Sequence, residues 1–186
     1  MPWVKRSFAV LCLILVAVAA VCLHHYLPRH KVVHITGVEV KRMDADGVIN
    51  AENPADGPTR DVYFINTVSS DADREVVVYR NEDTGWGFPW YFKFDSADLQ
   101  AKAQDYSRDP NQLVVIRYYG WRFQIFSMFP NITEIKTTTS RSEPFPIFNT
   151  IFFSVLLIVA VTIGLVIRRR FRLKRAASVP QSHSSQ

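Results

Sequence analysis

The chain has 186 residues, 48% hydrophobic and 13% aromatic, with 22 Lys and Arg, 17 Asp and Glu and a formal net charge of +5. Lys5, Arg6 and six cations from Arg168 to Arg175 carry the excess, leaving 14 cations between them against all 17 carboxylates, which speaks against a basic nucleic-acid-binding domain. The only cysteines, Cys12 and Cys22, stand ten positions apart in one apolar stretch, so a disulfide-stapled fold is excluded too.

Residues 1–6 read as a short cationic N-terminus. The charge-free run Ser7 to Leu23, extended by His24, His25, Tyr26 and Leu27 to Pro28, predicts a first membrane-spanning helix over 7–27. Lys5 and Arg6 ahead of it, with Ala17-Val18-Ala19 inside, also fit a signal peptide, but a retained anchor is the preferred reading. A lipoprotein signal fits less well, because the branched Val21 precedes Cys22.

Residues 28–144 carry the composition of an ordinary domain. Lys31 to Arg42, Asp61 to Val68, Glu75 to Arg80, Trp90 to Phe94, Gln112 to Tyr119 and Ile132 to Lys136 are rich in branched and aromatic residues and predict strands. In the first, the apolar register changes from Val33 and Ile35 to Val38 and Val40 across Gly37, as at a bulge or bend. Met43 to Arg60 is crowded with Asp, Gly and Pro and reads as a long surface loop. Leu99, Ala103 and Tyr106 recur at helical spacing, with Asp95 or Ser96 as cap and Arg108 and Pro110 beyond the end. Strands, one helix and two further strands fit a β-rich (α+β) domain, a curled sheet or small barrel of the OB type.

Residues 145–167 predict the second span, with Phe148 to Ile167 free of ionisable groups. Arg168, Arg169, Arg170, Arg172, Lys174 and Arg175 follow at once, which puts the C-terminus in the cytoplasm; two spans then put the N-terminus there as well and residues 28–144 outside. Ala176 to Gln186, within the basic tail 168–186, reads as disordered.

Seven of the 24 aromatics fall between Tyr79 and Asp95, where Asn81, Asp83, Thr84, Gly85, Gly87 and Pro89 predict tight turns presenting Trp86 and Phe88. Tyr118, Tyr119, Trp121 and Phe123 form a second group around Gly120 and Arg122. The candidate binding residues are accordingly Arg80, Glu82, Asp83, Trp86, Phe88, Trp90, Trp121 and Arg122. Exposed on a rigid loop, the rings would serve as contact residues; the competing reading puts them in the core or the membrane interface.

Several strings resemble a set of small uncharacterised bacterial inner-membrane proteins grouped as a domain of unknown function. They are Ile35-Thr36-Gly37-Val38-Glu39-Val40-Lys41-Arg42-Met43-Asp44, Arg60-Asp61-Val62-Tyr63-Phe64-Ile65-Asn66, Tyr79 to Asp95, Tyr119-Gly120-Trp121-Arg122 and Phe129-Pro130-Asn131. The resemblance implies a periplasmic location for the central domain and supplies no activity. In a bacterium, Asn131-Ile132-Thr133 is an accidental match to a glycosylation site.

An enzyme reading rests on Glu82 and Asp83 near Arg80, which would pair as acid and base of a periplasmic hydrolase only if a turn brought the carboxyls together. His24, His25, His30 and His34 cluster beyond the first span without the cysteine or paired carboxylate that would complete a metal site, so no metal or cofactor is expected. The expected partners are membrane lipid and a periplasmic or membrane protein, with no nucleic acid. Ala160 and Gly164 form a small-x-x-x-small step that would let the second span pair, within the chain or in a homo-oligomer. On that expectation Ala160→Leu weakens assembly in mild detergent, measured by chemical crosslinking; unaltered assembly counts against pairing through this face.

Overall fold

The computed structural model describes residues 2–44, 47–52 and 54–177. Apolar helices stand at both ends of the chain, α1 (Pro2–Tyr26) and α3 (Ile147–Ala177). Between them lie β1 (Arg29–Met43), β2 (Arg60–Ser69), β3 (Val76–Asn81), α2 (Ser96–Tyr106), β4 (Val114–Tyr119) and β5 (Asn131–Thr137). The chain divides into two compact units, the first ending at Phe145 and the second beginning at Pro146.

The five strands close into a barrel in the order β1-β2-β3-β5-β4. Closure depends on the length of β1, 15 residues, whose first part (Arg29 to Val33) pairs with β4 and whose remainder (Val33 to Met43) pairs with β2. One strand can serve two neighbours because it bends. The register shifts between Ile35 and Gly37, so Thr36 is the extra residue of a bulge at the expected place. Neighbouring strands are antiparallel except β3 and β5, which meet in parallel where Arg80 faces Asn131.

Alternation along the strands fills the interior. Val33, Ile35, Ile65, Tyr79, Val114, Ile116, Ile132 and Ile135 point inward, and α2 adds Leu99 and Ala103. Val38 packs against this core, as expected from the register change, whereas Val40 stays exposed. Tyr118 meets Tyr79 edge to face at 5.0 Å, and burial pushes the Tyr79 hydroxyl well above its usual range.

Two local expectations fail. Trp90 to Phe94 is no strand, because Phe92 adopts a positive φ of 50° and Lys93 turns its amide and carbonyl back onto Thr84 and Gly85 rather than to a neighbouring strand. Nor does Asp95 cap α2 with its side chain. Asp83 does so from across the loop, accepting from the Ser96 amide and hydroxyl at 2.9 Å each. In the long connection after β1, Met43 bridges Val48 and the Ile49 amide donates to the Arg42 carbonyl at 3.0 Å.

In α3 the hydroxyls of Thr150, Ser154 and Thr162 each donate to the carbonyl four residues back, so they leave no unsatisfied donor in an apolar setting. The helix runs on to Ala177 through much of the basic segment, which holds good helix formers and no proline before Pro180. Residues 178–186 of the expected disordered tail lie outside the described residues.

Ile65 is fully buried at the barrel centre. Ile65→Ala removes most of its side chain and leaves a cavity, lowering stability by about 2–5 kcal/mol in denaturant unfolding of the purified chain.

Candidate functional site

Two connections meet at one end of the barrel: residues 82–95 between β3 and α2, and residues 120–130 between β4 and β5. The first is closed at its neck. Gly85 donates its amide to the Lys93 carbonyl at 3.1 Å, Lys93 donates its amide to the Thr84 hydroxyl at 3.2 Å, and Gly87 donates to the Thr84 carbonyl at 3.2 Å. Gly85 takes the positive φ, 56°, that this turn requires. Beyond the neck Trp86 leans on Phe92 and Phe94, with centroids at 5.7 and 5.3 Å, and Phe88 meets Trp90 at 5.3 Å. These rings contact one another yet remain open to solvent, Trp86 at 79%.

A buried polar network ties this loop to the barrel. The Lys93 side chain is only 4% exposed, and its ammonium donates to the Asn81 side-chain oxygen, to the Ile132 carbonyl at 2.9 Å and to the Glu82 carbonyl at 3.3 Å. Asn81 in turn donates to the Ser96 carbonyl at 2.8 Å and to Gln100 Oε1 at 3.0 Å. Asn131 donates to the Glu82 carbonyl and the Tyr119 hydroxyl and accepts from the Glu82 amide. The end of β3, the start of β5 and the loop are thereby bound together. Burial pushes the Lys93 ammonium down to about 8, against the pull of Asp83, Asp95 and Glu82.

The candidate carboxylates do not form a pair. Glu82 is held between Arg80 at 2.7 Å and Arg60 at 3.2 Å, while Asp83 caps α2. The histidines separate as well. His24 accepts from Trp121, His30 lies opposite Arg117 in the β1–β4 register, and His34 meets the Gln112 carbonyl. Burial and Arg117 hold the His30 imidazole below its usual range. Among the described residues no group of three or more His, Cys, Asp or Glu side chains gathers as metal ligands would.

The second connection turns at Gly120, whose φ of 90° is left-handed and where an added Cβ would stand 3.4 Å from Pro130 Cα. A small hairpin follows, with Phe123 and Met128 exchanging amide-to-carbonyl bonds at 3.2 and 2.9 Å. Arg122 stiffens it by donating to the Met128 carbonyl at 2.9 Å while its guanidinium lies 4.0 Å over the Phe129 ring. The tip carries Ile125, 93% exposed, and Phe126.

Both connections grip the last turn of α1. The Tyr91 hydroxyl donates to the Tyr26 carbonyl at 2.6 Å, and Tyr91 stacks on Tyr119 at 4.7 Å. Phe88 meets Tyr26 edge to face at 4.5 Å. Trp121 donates its indole N–H to His24 at 2.8 Å and meets the His25 ring at 4.7 Å. Gly120 donates its amide to the His25 carbonyl at 2.8 Å, and Arg29 donates to the Gly120 carbonyl.

The structure thus gathers Trp86, Phe88, Trp90, Trp121 and Arg122 at the end of the barrel where α1 arrives, and assigns Arg80, Glu82 and Asp83 to the framework beneath. Sequence reasoning missed Lys93, Asn131, Tyr91 and the hairpin tip, and read as a turn former Asn81, which is the buried last residue of β3. Two signals were present, a lone lysine inside an aromatic run and five apolar residues from Phe123 to Phe129, in the stretch between two expected strands.

Fold and site define a small β-barrel protein with an apolar helix at each end of the chain and an exposed aromatic surface beside the first. The chain belongs to a family described as proteins of unknown function (DUF1523), matched over residues 4–172. It is similar to an uncharacterised protein of Haemophilus influenzae, 53% identical over 135 residues, which cover 72% of this chain and 76% of that protein. No solved structure matches it.

Lys93→Met leaves the three acceptors of the ammonium without their donor and should cost roughly 1–3 kcal/mol. It should also remove a pH dependence. The folded chain releases the Lys93 proton near pH 8, whereas an unfolded lysine holds it to about 10.4, so unfolding takes up a proton in that window and stability rises with pH by up to about 1.4 kcal/mol per unit. Above about pH 10 the half-buried Tyr91, pushed up to about 12, reverses the trend, because unfolding frees its proton. Unfolding midpoints of both proteins from pH 7 to 10 measure the difference.

Proposed function

We propose that the chain is a two-span bacterial inner-membrane protein whose periplasmic domain works by contact rather than by catalysis. In this reading α1 and α3 cross the membrane, residues 7–27 and 145–167, both termini are cytoplasmic, and residues 28–144 form an OB-type barrel outside. Arg6–Tyr26 and Ile147–Arg170 are each long and apolar enough to span. The cations after Ile167 favour a cytoplasmic C-terminus. The OB assignment rests on the strand order and on the position of α2 between β3 and β4.

The observation that carries the contact reading is the rigid presentation of Trp86, Phe88 and Trp90. Their loop is closed at its neck and anchored beneath by Lys93, yet the rings are bare. Rigid exposed aromatics lose little entropy when covered, which makes them effective anchors for a partner in the envelope. The hydrolase alternative gains no support, since Glu82 and Asp83 are engaged with different partners.

Reporter fusions test the topology: alkaline phosphatase joined after Asp56 is expected to be active, and after Arg175 inactive. A photoreactive residue at position 88 tests the contact. It should give crosslinks in intact cells, whereas one at position 73, in the turn before β3 at the other end of that strand, should not. Trp86→Ala should change stability by no more than about 0.5 kcal/mol, as for an exposed side chain. A large loss of stability would instead make the ring part of the fold.

A further inference from the structure

The two connections at the α1 end expose Trp86, Phe88, Trp90, Phe92, Phe94, Ile125 and Phe126, a surface too apolar to be left to water without a purpose. Position and charge select its occupant.

Position comes from α1. The 21 residues from Arg6 to Tyr26 rise about 31 Å, close to the thickness of a bilayer core, so a helix that places Arg6 at one face places Tyr26 at the other. Tyr26 is the residue that Phe88 and Tyr91 touch, and His24 and His25, one turn deeper at most, are the residues that Trp121 touches. The aromatic surface therefore begins at the level where the span leaves the hydrocarbon, and it is continuous with the span itself. Only Leu27 and Pro28 separate α1 from β1, the Leu27 amide still donates to the Leu23 carbonyl, and Pro28 is buried, so the barrel has little freedom to swing these loops away.

Charge agrees. None of the 17 carboxylates lies in residues 84–94 or 119–130, which carry Lys93 and Arg122 instead. A protein partner of ordinary surface would not require that exclusion, whereas an anionic headgroup layer over an apolar interior favours it. Tryptophan, tyrosine and phenylalanine with a stray arginine are the composition of a membrane interface.

We propose that the exposed rings of residues 86–94 and the hairpin tip Ile125-Phe126 insert into the outer interface of the bilayer that α1 crosses, so that the barrel is seated on lipid by its own loops as well as tethered by its helix. The proposal names the partner of the contact surface and rests on the two-span reading.

Depth-dependent fluorescence quenching tests it with full-length protein in vesicles of phosphatidylethanolamine and phosphatidylglycerol brominated either near the headgroup or near the bilayer centre. Three probes are compared, each the sole tryptophan after replacement of the others by phenylalanine: native Trp86, Phe126→Trp and Val16→Trp. The first two should lose most of their emission to the shallow bromines, and position 16 to the deep ones. Position 16 quenched while 86 and 126 respond only to aqueous acrylamide overturns lipid insertion and leaves the surface to a protein partner. Position 16 unquenched by lipid removes the two-span reading and the proposal with it. Should the tryptophan-free background fail to fold, a spin label at Ile125→Cys, with Cys12→Ser and Cys22→Ser, separates the same two outcomes: higher accessibility to oxygen than to a water-soluble nickel complex supports insertion, and the reverse overturns it.

Discussion

An ammonium group taken out of water is the constraint on which the end of this barrel depends. Lys93 follows four aromatic residues in five positions, and its stem and charge both point inward. A buried cation is costly unless its protons are met, and here two carbonyls and an amide oxygen meet them from β3, from β5 and from the residue after β3. Those strands join through a single parallel pairing at Arg80 and Asn131, the weakest seam of the barrel by number of paired residues. Lysine and asparagine bonds thus close what the backbone ladder leaves nearly open. The same bonds fix where the aromatic loop starts and ends.

With its base fixed, the loop can do something a flexible segment could not, which is to hold bare rings in place against their tendency to collapse onto the nearest apolar surface. Trp86 packs on Phe92 and Phe94, and Phe88 on Trp90 and Tyr26, so the rings cover one another laterally and leave their outer faces free. An apolar surface built in this way is stable to its own folding and remains available to a medium or partner that can cover it.

Periodic features are legible in the sequence, and junctions are not. The apolar end helices, five of the six expected strands, the bulge at Gly37 and the single helix between the strands can be read because burial imposes a period of two or of 3.6 on long stretches. Trp90 to Phe94 reads falsely as a strand because five bulky residues satisfy strand propensity in isolation, and only the turn of Lys93 back to Thr84 reveals that hydrogen bonds within the loop replace the ladder. The cap of α2 escapes for a related reason. Asp95 and Ser96 sit in the right places by sequence, but Asp83 reaches Ser96 from 13 residues upstream, a contact that no local pattern encodes. The aromatic site is legible as composition through Trp86, Phe88, Trp90 and Trp121, and illegible as geometry, since whether a tryptophan is buried or bare depends on what the barrel leaves beside it.

The join between α1 and β1 decides which way the aromatic surface faces. A domain tethered by a long polar linker samples all orientations, and an aromatic surface on it would face lipid only part of the time. Here the linker is two residues, one of them a buried proline, and the first strand is held at once by Tyr118 across the ladder and by the Arg29 bond to Gly120. The orientation of the loops relative to the helix is therefore a property of the fold, set by the same bonds that close the barrel. Whatever covers the rings need not order these loops, because the protein has already done so, and the water released from the rings then favours covering them. A barrel so joined cannot leave the level of the last turn of α1 without breaking the contacts that Tyr91, Trp121 and Gly120 make there, so whatever surrounds the end of that helix also surrounds the rings.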